Sequence, residues 1–341
     1  MIEIEAAIIR KLTLHRVTIE DDKSVIGDNL VDYETDEDEK ILKKIFLRPF
    51  ASHSQTFEFT HDVSLNYNVL FNSAKNIFEG EDFVEHSANI AQHLISSSKH
   101  PNIKDGDVFV VKFDDIQFNS QHYEGVGIYK FEDKESFVET TVKSKKVDFS
   151  VKKGIGNKRP DKACLILFTE EPYTILVIDS NSSDTEYWQN DFINFKSKND
   201  HINNTNNFLT LTKDYITNKI TEDFEVSKAD QIDFLNRSVD YFKKHDTFEK
   251  EEFEVEVFAD KGVIESFRKF DHTYRNENDL ELVDSFEISA QAVKKQARIF
   301  KRVLKLDKNF HIYIHGNKDM IEQGVDENGR KYYKIYYEQE N

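Results

Sequence analysis

From Gly106 onward the apolar residues change from a three-to-four-residue period to alternation, and no other feature constrains the fold as strongly. The runs Val108 to Phe118 and Tyr123 to Phe131 flank a turn near residues 119–121. Ala163 to Phe168 and Tyr173 to Ile178 flank Glu170, Glu171 and Pro172. Such paired runs read as hairpins of an antiparallel sheet. Upstream, MIEIEAAIIRKLTLHRV reads as a first strand, and Ile41, Leu42, Ile45 and Phe46 form an amphipathic helix ended by Pro49. Leu65, Val69, Leu70, Ile77 and Phe78, then Ile90 and Leu94 within 83–97, give a helical pair.

Downstream, helical spacing runs from Asp184 to about Tyr274, broken by a polar loop from Lys196 to Asn207. Ser227 and Asp230 form a capping box ahead of Ile232, Leu235, Val239 and Phe242. The end piece reads as a helix from Ser289 to about Phe300, a strand from Phe310 to His315, and a short helix ending at Gly324. An Asn328-Gly329 turn and a strand from Lys331 to Glu338 follow. The expected fold is α+β: an antiparallel sheet packed with N-terminal helices (1–180), a mostly helical middle unit (181–280) and a small C-terminal α/β piece (281–341). With 4 prolines and 11 glycines no flexible linker separates these pieces, so they are expected to share interfaces.

Charge bounds the function. The 46 Lys and Arg against 64 Asp and Glu give a formal charge of -18, which opposes unspecific adhesion to DNA or anionic lipid. Any polyanion contact must be local. The single cysteine, Cys164, lies in an apolar run, so no intrachain disulfide forms and a reducing, cytoplasmic setting is expected. The N-terminus lacks a signal-peptide pattern, and no apolar stretch is long enough to span a bilayer as a helix.

Two regions oppose the acidic average. Residues 143–162 hold Lys143, Lys145, Lys146, Lys152, Lys153, Lys158, Arg159 and Lys162 against Asp148 and Asp161, and read as a basic loop between strands. The bland alternative is a solvated connection. The second region is the helix from Ser289, where Lys294, Arg298, Lys301 and Lys305 line one face beside Lys295 and Arg302. That stripe suits either a phosphate backbone or acidic surface of this chain, within one molecule or in a homodimer. The DNA-contacting set expected from charge is therefore Lys294, Lys295, Arg298, Lys301, Arg302 and Lys305, assisted by Lys152, Lys153, Lys158 and Arg159.

Metal and catalytic patterns are poor. His86, His93 and His100 recur two helical turns, roughly 10 Å, apart, and His311 and His315 sit about 13 Å apart along a strand, too far for one ion. Asp115 with Glu132 and Lys134 imitates a metal-dependent nuclease, whose ion must lie beside an activated water. GIGNKR at 154–159 lacks phosphate-loop spacing. No cofactor is expected. Tyr187, Trp188, Phe192 and Phe195 recur at helical spacing and read as core ahead of a base-stacking platform.

Several strings, in order, resemble the bacterial nucleoid-associated NdpA/YejK family, especially its Bacteroidetes-type members. They are LHRV at 14–17, LRPF at 47–50, SSSKHPNIKDGDVFV at 96–110, DKACLILF at 161–168, VIDSNSSDTEYW at 177–188, FLTLTKDYITNKI at 208–220, FLNRSVDYFKKHDTFEKEEF at 234–253 and GVDENGRKYYKIYY at 324–337. The resemblance implies a nucleoid protein without an established reaction. In enterobacterial relatives it also implies a connection with type II topoisomerases. Those relatives are rich in Gly and Arg at the segment matching Thr212 to Ile220. Here that segment has Lys213 and Lys219 beside Asp214, so it is not expected to carry the DNA contact. The expectation is a non-catalytic chromosome-binding protein, with attachment through a partner such as a topoisomerase as the alternative.

Overall fold

A computed structural model describes residues 2–53, 55–100, 102–156, 158–180, 186–298, 300, 303–314 and 320–339. It divides the chain into two compact units, Met1–Lys198 and Asn199–Asn341, and confirms the α+β class.

The first unit contains β1 (Ile2–Glu3), β2 (Ile8–Val17), α1 (Asp36–Leu47), β3 (Phe57–Phe59), α2 (Val69–Phe78), α3 (Phe83–Ser97), β4 (Gly106–Phe118) and β5 (Gln121–Phe131). It continues with β6 (Glu135–Lys143), β7 (Lys146–Gly154), β8 (Lys162–Leu167), β9 (Thr174–Asp179) and β10 (Phe195–Ser197). Eight of these strands form an antiparallel sheet in the order β1-β4-β5-β8-β9-β3-β10, with β2 also on β4. Alternation sends Val108, Val110, Val126, Ile128, Cys164 and Ile166 toward Leu70, Ile77, Ile90 and Leu94 of α2 and α3. On the other parity, Phe46 of α1 packs on Phe109 and Tyr129 with ring centroids 5.4 and 4.6 Å apart. With both faces covered, every residue of β8 is buried, and Cys164 is 0% exposed. Burial pushes its thiol pKa up, so the structural reading of this cysteine holds.

Helix starts follow sequence chemistry. Thr35 and Asp38 close a capping box on α1, and Asp82 accepts N–H bonds from Val84 and Glu85 at the start of α3. Tyr187, Trp188 and Phe192 are buried, the last two on a π-helical turn at Trp188–Ile193. Phe195 leaves that turn for β10, where its ring meets Phe57.

The second unit contains α4 (His201–Asp214), α5 (Ile220–Asp223), α6 (Lys228–Lys244), β11 (Thr247–Glu249), α7 (Lys250–Val257), α8 (Lys261–Glu277) and β12 (Ser285–Glu287). It ends with α9 (Ala290–Gln296), β13 (Val303–Leu306), β14 (Phe310–Tyr313), β15 (Ile321–Val325) and β16 (Lys331–Ile335). Its core is aromatic, with Phe208, Phe242, Phe248, Phe253 and Phe267 in mutual ring contact. The Ser227–Asp230 capping box opens α6 as its spacing predicts.

Three sequence expectations change in the second unit. The polar loop to Asn207 is shorter, because Asp200 caps α4 by accepting from the N–H groups of Ile202 and Asn203, and Asn203, Asn204 and Asn206 lie buried in the helix. The helix from Ser289 stops at Gln296, and Leu304 and Lys305 belong to β13, paired with Ile312 and His311. The short helix expected before Gly324 is instead β15, which pairs with β16 across the Asn328-Gly329 turn. Gly329 there has φ +76°, a left-handed conformation that costs glycine little.

Candidate nucleic-acid interface

The largest departure lies within residues 143–162. Most of this expected loop belongs to a two-stranded ribbon, β6 with β7, in unbroken register from Glu135↔Gly154 to Lys143↔Lys146. The strands are joined by Ser144 and Lys145, at φ 46° and 71°. Two left-handed residues make the turn whose twist matches paired strands. β-branched and aromatic residues on alternate positions, Val138, Val142, Val147, Phe149 and Val151, favour the strands. That alternation was the available signal, hidden by the lysines between.

Neither ribbon strand joins the large sheet. Of the sequence-predicted cations, Lys152 and Lys153 end the ribbon on β7, with Lys152 held by Glu139 at 2.5 Å. Lys158 is tied to Asp161 at 3.3 Å and Asp133 at 3.9 Å. Arg159, Lys145, Lys146 and Lys153 are exposed and make no ion pair among the described residues. Lys162 is not part of this surface: it is 2% exposed and bonds Asp179 at 2.6 Å.

Lys162 faces Lys130 across β8 and β5, a like-charge pair that the interior must neutralise. Lys130 Nζ donates to Glu132 at 3.0 Å, to the Lys104 carbonyl at 2.7 Å and to the Tyr187 hydroxyl at 3.2 Å. Both ammonium groups lie over the Tyr187 ring, at 5.7 and 5.1 Å. Burial lowers the Lys130 pKa, with Glu132 opposing. Glu132 is thus spent on a buried network, whereas Lys134 pairs with Asp107 at 2.6 Å. Asp115 pairs with His122 at 2.6 Å at the other end of β5. The nuclease-like residues do not assemble. His245 lies between two exposed carboxylates, Nδ1 at 3.8 Å from Glu252 and Nε2 at 3.3 Å from Glu256, so each nitrogen faces a different acid, with one ligand atom from each of the three residues within 4.8 Å of the others. His86 bonds Glu81 and His93 bonds the Phe192 carbonyl, and His315 lies outside the described residues.

The C-terminal basic residues do not form one helical stripe. Lys294 and Lys295 are exposed on the last turn of α9, and Arg298 follows its end. Lys301 and Arg302 lie outside the described residues. Lys305, on β13, borders a cavity of about 690 Å³ with Lys213, Lys228, Leu235 and Tyr333.

No helix among the described residues is long and apolar enough to cross a membrane. No curated protein matches the sequence closely enough to serve as a relative. A family profile described as nucleoid-associated protein YejK matches residues 13–330. That match spans both compact units and includes the ribbon, so the chain belongs to the nucleoid-associated protein YejK family.

Proposed function

We propose that this cytoplasmic nucleoid-associated chain binds DNA directly, as a non-catalytic protein, through the tip and base of the β6–β7 ribbon. The carrying observation is the concentration of cations there: residues 143–159 hold seven Lys or Arg against Asp148 alone, in a chain of charge -18. A two-stranded ribbon fits a DNA groove, and lysines at a two-residue turn reach phosphates while the acidic body stays away. The strand positions carry no base-reading pattern, so contacts to phosphate dominate and sequence preference is weak. Lys152, Lys153, Lys158 and Arg159 extend this surface, and Lys294, Lys295 and Arg298 supply a second basic segment.

Replacing Lys145, Lys146 and Lys153 by Glu is expected to weaken binding on all sequences alike and to flatten the slope of log K against log salt by roughly 2 to 3. Fluorescence anisotropy over a salt series reads both. Unchanged affinity in the folded triple variant would reject this surface. The net acidity of the chain favours the second reading, attachment through a protein partner such as a type II topoisomerase. A pull-down with and without nuclease treatment separates the two, because DNA-bridged proteins are lost on digestion.

A further inference from the structure

Apart from Lys153 at its base, one face of the ribbon takes no part in the proposed DNA contact. By register, Ser136/Lys153, Val138/Val151, Thr140/Phe149 and Val142/Val147 form four rungs on one side. Its five large apolar side chains are between 60% and 74% exposed, and the face carries no acid. A row of uncovered valines and a phenylalanine on a free ribbon is an unfinished core.

We infer that this face is covered by the same face of a second copy of the chain, making a two-fold dimer through paired ribbons. Three observations select that occupant. The first is area: five such side chains offer roughly 100 Å² each, so full coverage by a facing ribbon removes about 1,000 Å² from the pair, the lower bound for a specific interface.

The second is charge. Copies bearing -18 repel one another broadly, and this face is an apolar strip whose one charged residue is the cation Lys153.

The third is shape. The central rung sets large Phe149 beside small Thr140. A two-fold axis running along the strands lays Phe149 of each copy over Thr140 of the other, Val138 over Val151, and Val142 over Val147. An axis across the strands would stack Phe149 on Phe149 and Thr140 on Thr140, leaving a clash beside a gap. The strand-aligned axis is therefore the arrangement assigned. It leaves the opposite ribbon faces outward and brings both Ser144–Lys145 turns to one end.

Sedimentation velocity on the full chain tests the assembly. Wild type is expected to sediment at twice the 40.1 kDa chain mass, and the Phe149→Glu/Val151→Glu variant at the single-chain mass with an unchanged circular dichroism spectrum. Because Cys164 is fully buried, introduced cysteines are the reactive thiols. Mixing Val138→Cys protein with Val151→Cys protein and adding a short bis-maleimide is expected to give covalent dimers. Mixing Val138→Cys with Val142→Cys is expected to give few, since that pair belongs to the rejected axis. A wild-type monomer at every concentration, a dimer that survives the double Glu variant, or cross-linking confined to the second pair would overturn the proposal. Each readout is made without DNA, so it stands or falls apart from the DNA contact.

Discussion

Two successive hairpins, β4–β5 and β6–β7, draw on the same vocabulary of alternating β-branched and aromatic residues, yet they end in opposite surroundings. In the first, Val108, Val110, Phe113, Val126 and Ile128 are 0% exposed, because helices pack on one side and α1 on the other. In the second, Val138, Val142, Val147, Phe149 and Val151 are mostly exposed. Alternation therefore specifies a strand and its faces, whereas the layer that covers a face comes from elsewhere in the sequence. For β4–β5 that layer is α1, α2 and α3. For β6–β7 the inferred layer is another molecule.

The largest effect separating the hairpins is expected from truncating the covered one. Phe113→Ala empties a fully buried site on β4 and should cost about 3 to 5 kcal/mol of unfolding free energy in a urea titration. A loss under 1 kcal/mol would mean that the sheet is not the stabilising core.

A smaller effect comes from a polar layer where β2 meets α3. His15 is 2% exposed; its Nδ1 accepts from the Gly27 N–H at 3.1 Å, leaving Nε2 to donate to Ser87 Oγ at 2.7 Å. This fixes a neutral imidazole, and burial lowers its pKa from 6.5 to about 4. Above 6.5 both folded and unfolded chains hold it neutral. Between 6.5 and 4 the unfolded chain takes up a proton that the folded chain refuses, so stability falls with pH across that window. The expected loss between pH 7.5 and 4.5 is roughly 2 to 3 kcal/mol, reduced in His15→Gln. Equal pH slopes for the two proteins would remove His15 as the cause.

The covered hairpin was legible in the sequence because its apolar alternation is long and the flanking helices show clear periods. The ribbon was not, since Lys143, Lys145, Lys146, Lys152 and Lys153 gave its segment the look of a charged connection. Charge masked the period of two at Val147, Phe149 and Val151. The opposite error occurred after Ser289: Val293, Ala297, Phe300 and Leu304 keep a helical spacing, but Leu304 is buried on β13 opposite Ile312. Residue spacing cannot report that a partner strand competes for the backbone. The basic residues of the candidate site were thus identifiable by charge, while their arrangement required strand register.

A third measurement bears on what holds the uncovered hairpin. Ser144 and Lys145 adopt left-handed angles that Asn and Gly take at less cost. Ser144→Asn with Lys145→Gly should raise hydrogen-exchange protection of ribbon amides by about 1 kcal/mol, with little change in the global urea midpoint. A midpoint shift of the same size would tie the ribbon into the main cooperative unit.

The smallest expected effect is the sharpest contrast with Phe113. Phe149 is 67% exposed and faces Thr140 across the ribbon, with no layer above it among the described residues. Phe149→Ser therefore removes little buried area from a single molecule, and monomer stability should change by less than about 0.5 kcal/mol. The measurement belongs at a dilution where wild type is monomeric, because an associated wild type gains apparent stability by mass action and its midpoint rises with concentration. The Ser variant should lose that concentration dependence. Should Phe149→Ser instead cost as much as Phe113→Ala in dilute monomer, the face would be covered within the chain, and the distinction between the two hairpins would collapse.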